Sequence, residues 1–215
     1  MYKLLLILLF AYGLAVTTDD IYDNSYALII GIDKYENVSN LDYAVEDAKS
    51  IKKMLIDKFQ FPNDKITLLL NKDATYRKIK KSLSKITQQA GNNDRILIFF
   101  SGHGETISLP EGGAMGFLIP VDGEKEDLYA TSLEMDELRK ATTLSEAKHI
   151  LYLVDACYGG LAASNTKSLD INTPGFLEKI TRDKSRQIIT AGGRGEQVIE
   201  KAEWGHSAFT LNILR

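Results

Sequence analysis

Short apolar runs alternate along this chain with helical amphipathic stretches, and that alternation restricts the fold more than any other feature. Tyr26–Ile32 (YALIIGI), Arg95–Phe100 and His149–Val154 (HILYLV) are apolar runs suited to buried strands, the first covered on both faces, and Ile66–Leu70 reads as a further strand. Between them, Val45, Ala48, Ile51, Leu55 and Phe59 recur at three- and four-residue steps, which predicts one apolar stripe on a helix. Pro62-Asn63 ends that helix. Arg77–Gln89 predicts a second, with Ile79, Leu83 and Ile86 inward and its basic residues on a solvated face. Gly91–Asp94 is a turn, and Glu105–Asp127 reads as loop, with a short strand at Gly116–Ile119. Further on, Met135–Thr142 reads as a helix capped by Ser132, Phe176–Arg182 as a helix, Gln187–Ala191 as a strand and Ser207–Leu214 as the start of another helix. Strands of this kind interleaved with helices predict an α/β three-layer sandwich with a mostly parallel central sheet. In such sheets ligands bind just beyond the carboxyl ends of the strands.

The 215 residues suit one domain, read here as 22–215. A net charge of -3 gives no electrostatic reason to expect a nucleic-acid partner. Residues 1–18 stand apart. Lys3 precedes an apolar run from Leu4 to Val16, with Gly13 and Ala15 placed for a signal-peptidase cut. Thirteen residues suit a signal sequence and fall short of the ~20 that span a bilayer. The expectation is export, secreted or periplasmic, with an uncleaved membrane anchor as the alternative. Asn37-Val38-Ser39 is a glycosylation sequon, should the chain be eukaryotic.

The chemistry gathers at two strand ends. Arg95–Phe100 runs into Ser101-Gly102-His103-Gly104, and His149–Val154 into Asp155-Ala156-Cys157-Tyr158-Gly159-Gly160. Each places a reactive side chain just past a buried strand, flanked by glycines that let a ligand approach the backbone. If the strands are neighbours, imidazole and thiol share one cleft, the minimal apparatus for acyl transfer. Cys157 is the sole cysteine, so it has no internal disulfide partner. The backbone N–H groups of Gly104 and Cys157 are candidate donors to a developing oxyanion.

The block SGHG, followed 157 − 103 = 54 residues later by the cysteine of D-A-C-x-G, resembles the caspase and metacaspase superfamily of cysteine peptidases, family C14. The resemblance extends from Tyr26 to Leu214. It includes YALIIGIDKYENVSNLDYAVEDA, GFLIPVDG, LYATSLEMDEL and ITAGGRGEQVIE…GHSAFT, in that order. It implies a caspase-like fold and a Cys157/His103 dyad. It also implies a choice of substrate. Caspases carry glutamine two places before the cysteine and an arginine near the first helix. This chain has Asp155 and Asp47 there, and with Ser101 they resemble the metacaspase pocket for arginine or lysine. Carboxylates attract such a cation and repel an aspartate. The implied partner is a peptide or protein substrate with a basic residue before the scissile bond. Asp47 as an exposed helix residue, and Asp155 as a turn cap, are the plain alternatives.

Other chemistries fit less well. The three histidines (His103, His149 and His206) lack zinc spacing, and His149 and His206 read as structural. No cofactor is required on this reading. Calcium is the alternative, but the stretch after the cysteine (Leu161–Ser164) has no carboxylate, and the acidic loop Asp122–Asp127 has no EF-hand pattern. The segment from Ala191 to Glu196 lacks a phosphate-loop ending. Ala162–Pro174 reads as a flexible connection where self-cleavage could fall. A caspase fold kept as an interaction module is the alternative to an enzyme.

Overall fold

The structure, a computed structural model, describes residues 21–156, 182–192 and 200–215. The apolar run Leu4–Val16, the connection Ala162–Pro174 and Cys157 itself lie outside the described residues, as does the helix expected at Phe176–Arg182 apart from Arg182. Among the described residues no helix is long and apolar enough to cross a membrane.

Five parallel strands form the central sheet: β1 (Ser25–Gly31), β2 (Ile66–Leu70), β3 (Arg95–Ser101), β7 (His149–Asp155) and β8 (Ser185–Thr190). Their order is β2-β1-β3-β7-β8. The three central strands carry the most continuous apolar runs, because their side chains enter a core on both faces. One face packs Ile29, Leu97, Phe99 and Leu153 against Ile51 and Leu55 of helix α1 (Ala44–Phe59). The other packs Leu28, Ile98, Phe100 and Val154 against Ile79, Leu83 and Ile86 of α2 (Tyr76–Gln89) and Leu138 of α4 (Met135–Thr143). Period-two strands feeding helices on both faces give the three layers that the sequence predicts.

The buried register of α1 differs from expectation in one informative way. It runs Ala44, Asp47, Ala48, Ile51, Leu55; Val45 is only half-buried and Phe59 is exposed. Asp47 is therefore on the apolar face of the helix. The helix lies close to the end of β1, since a Cβ at Gly31 would come within 2.5 Å of the Ala44 carbonyl oxygen.

The stretch read as loop after His103 contains more structure than its composition suggests. β4 (Gly104–Ser108) and β5 (Ala114–Leu118) form an antiparallel hairpin, and β6 (Leu133–Glu134) adds a third strand. A short helix, α3 (Leu128–Thr131), precedes β6. Two of the loop's acidic residues are caps: Asp122 accepts the Tyr76 N–H at the start of α2 (2.8 Å), and Asp127 accepts the Ala130 N–H (3.2 Å). Ser132, expected as the cap of α4, instead has a buried hydroxyl with no partner among the described residues, and Glu134 occupies the cap position. The described chain closes with β9 (Glu200–Lys201) paired to β10 (His206–Ser207), then α5 (Ala208–Leu214) on the α1 face.

Candidate active site

β3 and β7 are adjacent and in register, with Ser101 opposite Asp155. The Gly102 N–H carries the pairing one step further, to the Asp155 carbonyl (3.2 Å). His103 thus stands two residues beyond one paired end, and Cys157 follows two residues beyond the other in sequence. The last described residue of that strand end, Ala156, is buried.

The His103 ring is held from two sides. Its Nε2 lies 2.8 Å from the Ser39 carbonyl oxygen, an acceptor only, so Nε2 carries the hydrogen and Nδ1 keeps the lone pair. Tyr35 packs against the ring, with centroids 4.9 Å apart at 48°. The Tyr35 hydroxyl accepts the His103 backbone N–H (2.8 Å). Burial pushes the His103 pKa below the usual histidine value, Lys125 adds to the effect, and the Ser39 bond and Glu105 oppose it. A neutral ring with a fixed tautomer is the form that accepts a proton.

The two glycines beside His103 are placed differently. A Cβ at Gly102 would stand 2.5 Å from the Tyr35 hydroxyl and 3.1 Å from the Phe100 ring. At Gly104 the matter is one of pairing. The Ile119 N–H donates to the His103 carbonyl (2.9 Å), and Gly104 lies opposite Leu118 in the next pair. Hydrogen-bonded pairs alternate along an antiparallel ladder, so the Gly104 N–H points away from β5.

The predicted pocket residues come together on one side of the sheet. Ser101 and Asp155 end the rows of β3 and β7 that face α1, in phase with Phe99 and Leu153. Asp47 approaches from α1 and is fully buried, not exposed. Its Oδ1 accepts from His206 Nδ1 (2.6 Å), and its Oδ2 accepts the Ser207 N–H (3.3 Å). Asp155 Oδ2 accepts from the Ser207 hydroxyl and from Thr210 Oγ1 (2.6 Å). Ser207 thereby bridges the two carboxylates, while also accepting the Thr210 N–H as the cap of α5 (2.9 Å). Asp155 Oδ1 is different: it is buried and has no hydrogen-bond partner among the described residues.

Burial in company raises every acid here. It pushes Asp47 up to about 6, against the opposing His206 hydrogen bond and with Asp155 adding to the rise. Asp155 is raised by burial too, with its Ser207 and Thr210 bonds opposing. Glu200, opposite Ser207 across β9 and β10, is pushed up to about 7 by burial and then by Asp47, Asp155, Asp33 and Asp42. This is a partly dehydrated anionic site with an unspent buried oxygen, suited to a cation.

Sequence reading did not find Tyr35, Ser39, Glu200 or the role of His206, which belongs to β10 and touches Asp47. A lone acid in phase with the apolar stripe of α1 was a signal available for Asp47. For Tyr35 and Ser39 there was none, because a loop residue's reach depends on the fold. His149 is satisfied as expected: Tyr22 donates to its Nδ1, and its Nε2 donates to the Asp183 carbonyl (2.9 Å). It begins β7, which has β3 and β8 on either side. Among the described residues no group of three or more histidine, cysteine or acidic side chains could hold a metal ion.

The parallel sheet, with a histidine and buried acids at its carboxyl ends, has the caspase-like architecture, and the comparisons with known proteins agree with it. The sequence model of the caspase domain matches residues 24–209, and the chain belongs to that family of peptidases. Among curated proteins it is 28% identical over 154 residues to Metacaspase-7 of Arabidopsis thaliana, covering 65% of this chain and 38% of the relative. With Metacaspase-1 of Eremothecium gossypii it shares 28% identity over 149 residues, covering 65% of this chain and 32% of the relative. Metacaspase-6 of Arabidopsis thaliana aligns over 207 residues at 23% identity, 88% of this chain and 55% of the relative. The chain therefore spans about a third to a half of the length of these relatives. The solved structure of protein GSU0716 from Geobacter sulfurreducens superposes with a TM-score of 0.52 at 21% identity, over 62% of this chain and 50% of that one, a likeness of fold.

Proposed function

We propose that this chain is a cysteine endopeptidase that cleaves after arginine or lysine, with Cys157 as nucleophile and His103 as its acid–base partner. The observation that carries the reading is the in-register pairing of β3 and β7, which sets Ser101-Gly102-His103 beside the strand end Asp155-Ala156 that Cys157 follows in sequence. His103 Nδ1 takes the thiol proton, and the sulfur attacks the scissile carbonyl carbon. The N–H groups of Gly104 and Cys157 receive the oxyanion. Nδ1 then returns its proton to the leaving amine, and a thioester remains. Water, deprotonated at the same nitrogen, adds to the thioester and releases the acid and the thiol. The Ser39 carbonyl keeps Nδ1 directed to this work by holding Nε2–H. Asp155 Oδ1 is the contact for the substrate's cation, with Asp47, Ser101 and Glu200 around it.

The test is to express the chain from Asp19 onward and assay arginyl, lysyl and aspartyl peptides with wild type, Cys157→Ala and His103→Ala. Cleavage of the basic peptides by wild type alone is the expected result. Equal activity in all three proteins removes the dyad, and preference for the aspartyl peptide removes the basic specificity. The length and apolarity of Leu4–Val16 support export, and mass spectrometry of the protein recovered from the medium or periplasm checks it by the presence of a trimmed N-terminus.

A further inference from the structure

The two aspartates of the pocket are not equivalent, and the residue that separates their roles is His206. Asp47 has no exposed surface, and both its oxygens are engaged. Asp155 has one oxygen engaged and one buried without a partner among the described residues. A carboxylate with both oxygens occupied has little left to offer an incoming guanidinium, whereas an orphaned buried oxygen lacks only a donor. The groups around Asp47 are largely acidic. Asp155, from β7, presses on Asp47 directly, and Glu200, from β9, is in turn raised by Asp47, Asp155, and by Asp33 and Asp42 from the segment between β1 and α1. Against them, His206 from β10 presents Nδ1–H at 2.6 Å.

We propose that His206 is a positioning residue of the basic-specificity pocket: its Nδ1–H holds Asp47 as an oriented carboxylate, so that Asp47 fixes Ser207 and Asp155 alone meets the substrate cation. The proposal rests on the peptidase reading given above. Its chain of action is short. Asp47 receives the Ser207 N–H, and the hydroxyl of that same serine positions Asp155 Oδ2. Once the His206 donor is removed, burial and the charge of Asp155 are opposed chiefly by the Ser207 N–H, and Asp47 takes up a proton at a higher pH. A protonated Asp47 withdraws one negative charge from the pocket and loosens the serine that orients the other aspartate.

Two variants separate this role from mere packing. His206→Phe fills the space without a donor, and His206→Asn keeps an N–H near the place of Nδ1. For arginyl peptide at pH 6.5, His206→Phe is expected to raise KM about tenfold with kcat little changed, and to move the acid limb of kcat/KM up by about one pH unit. His206→Asn is expected to keep the wild-type KM and acid limb. Thermal melts identify folded variants; should His206→Phe fail to fold, His206→Leu, which also lacks a donor, takes its place. Wild-type KM and acid limb in the folded donorless variant overturn the proposal, and so does His206→Asn behaving like His206→Phe. If wild type cleaves neither arginyl nor lysyl peptide, the peptidase reading fails first, which is a distinct result.

Discussion

At their carboxyl ends β3 and β7 finish in Ser101 and Asp155, and a set of buried acids and a histidine gathers there; at their amino ends the same strands begin in Arg95 and His149, around an apolar hollow. That hollow is a cavity of about 730 Å³, floored by Phe61, Leu97 and Leu151 and rimmed by Tyr22, Arg95 and His149. Its cations are spent. Arg95 stacks on Tyr22 and Phe61 at 4.8 and 4.4 Å and donates to the Ser25 hydroxyl (2.7 Å). Among the described residues, no polar side-chain atom at that end is buried without a partner in the way that Asp155 Oδ1 is. The contrast teaches that volume and reactivity are separate properties, and that a reacting site is marked by polar groups held dry and unfinished.

The comparison breaks most readily at its reactive end. Cys157→Ala or His103→Ala is expected to lower kcat/KM for arginyl peptide by about a thousandfold or more, measured by fluorogenic assay. A loss of similar size from His149→Gln, at the amino end, would erase the distinction drawn here. Asp155→Asn comes next. It keeps an oxygen for Ser207 and Thr210 but removes the charge, and KM for arginyl peptide should rise about 10- to 100-fold. Gly102→Ala tests the support of the ring. The new Cβ must displace the Tyr35 hydroxyl, so kcat falls about tenfold or more while KM changes little.

Two smaller effects concern stability and have opposite signs. Glu200 is raised in the folded protein, so folding favours its protonated form. Its cost is absent below the unfolded carboxylate range near pH 4.5 and is fully present above the folded value of about 7. Glu200→Gln should therefore raise Tm at pH 8, with little effect at pH 4. Each kcal/mol is worth about 2–4 °C in a chain of this size. His149 is lowered in the folded protein, chiefly by burial, so its contribution is whole above the unfolded histidine value of 6.5 and is lost as pH falls below it. His149→Gln should flatten the fall in Tm between pH 7 and pH 5, leaving the part that His103 causes in the same direction. Activity should stay unchanged in the first turnover assay at pH 7.5, as fits the amino end.

β1, β3 and β7 were the most legible strands in the sequence, because side chains facing cores on both sides leave an apolar run that needs no partner to be recognised. β4 was not, since GETIS has neither an apolar run nor alternation, and its pairing is dictated by β5. β9 and β10 are two residues each, below any periodic signal. The site divides in the same way. His103, Asp155 and Ser101 belong to local strand-end blocks and could be read in order. The Ser39 carbonyl and the His206 imidazole act across 64 and 159 residues of sequence, and only the folded chain makes them neighbours. Asp47 lies between these cases, for its helix phase already placed it inward.

The Asp47–His206 contact has a consequence in time as well as in space. A ribosome delivers Asp47 early and His206 159 residues later, so every nascent chain passes through a stage in which His103 and Cys157 have been made but the Asp47–His206 contact has not. A peptidase that assembled its specificity from neighbouring residues would be armed during its own synthesis. On the proposed reading, β10 and α5 complete the specificity pocket only after the dyad has been made, so substrate choice would come later in synthesis than the reacting pair.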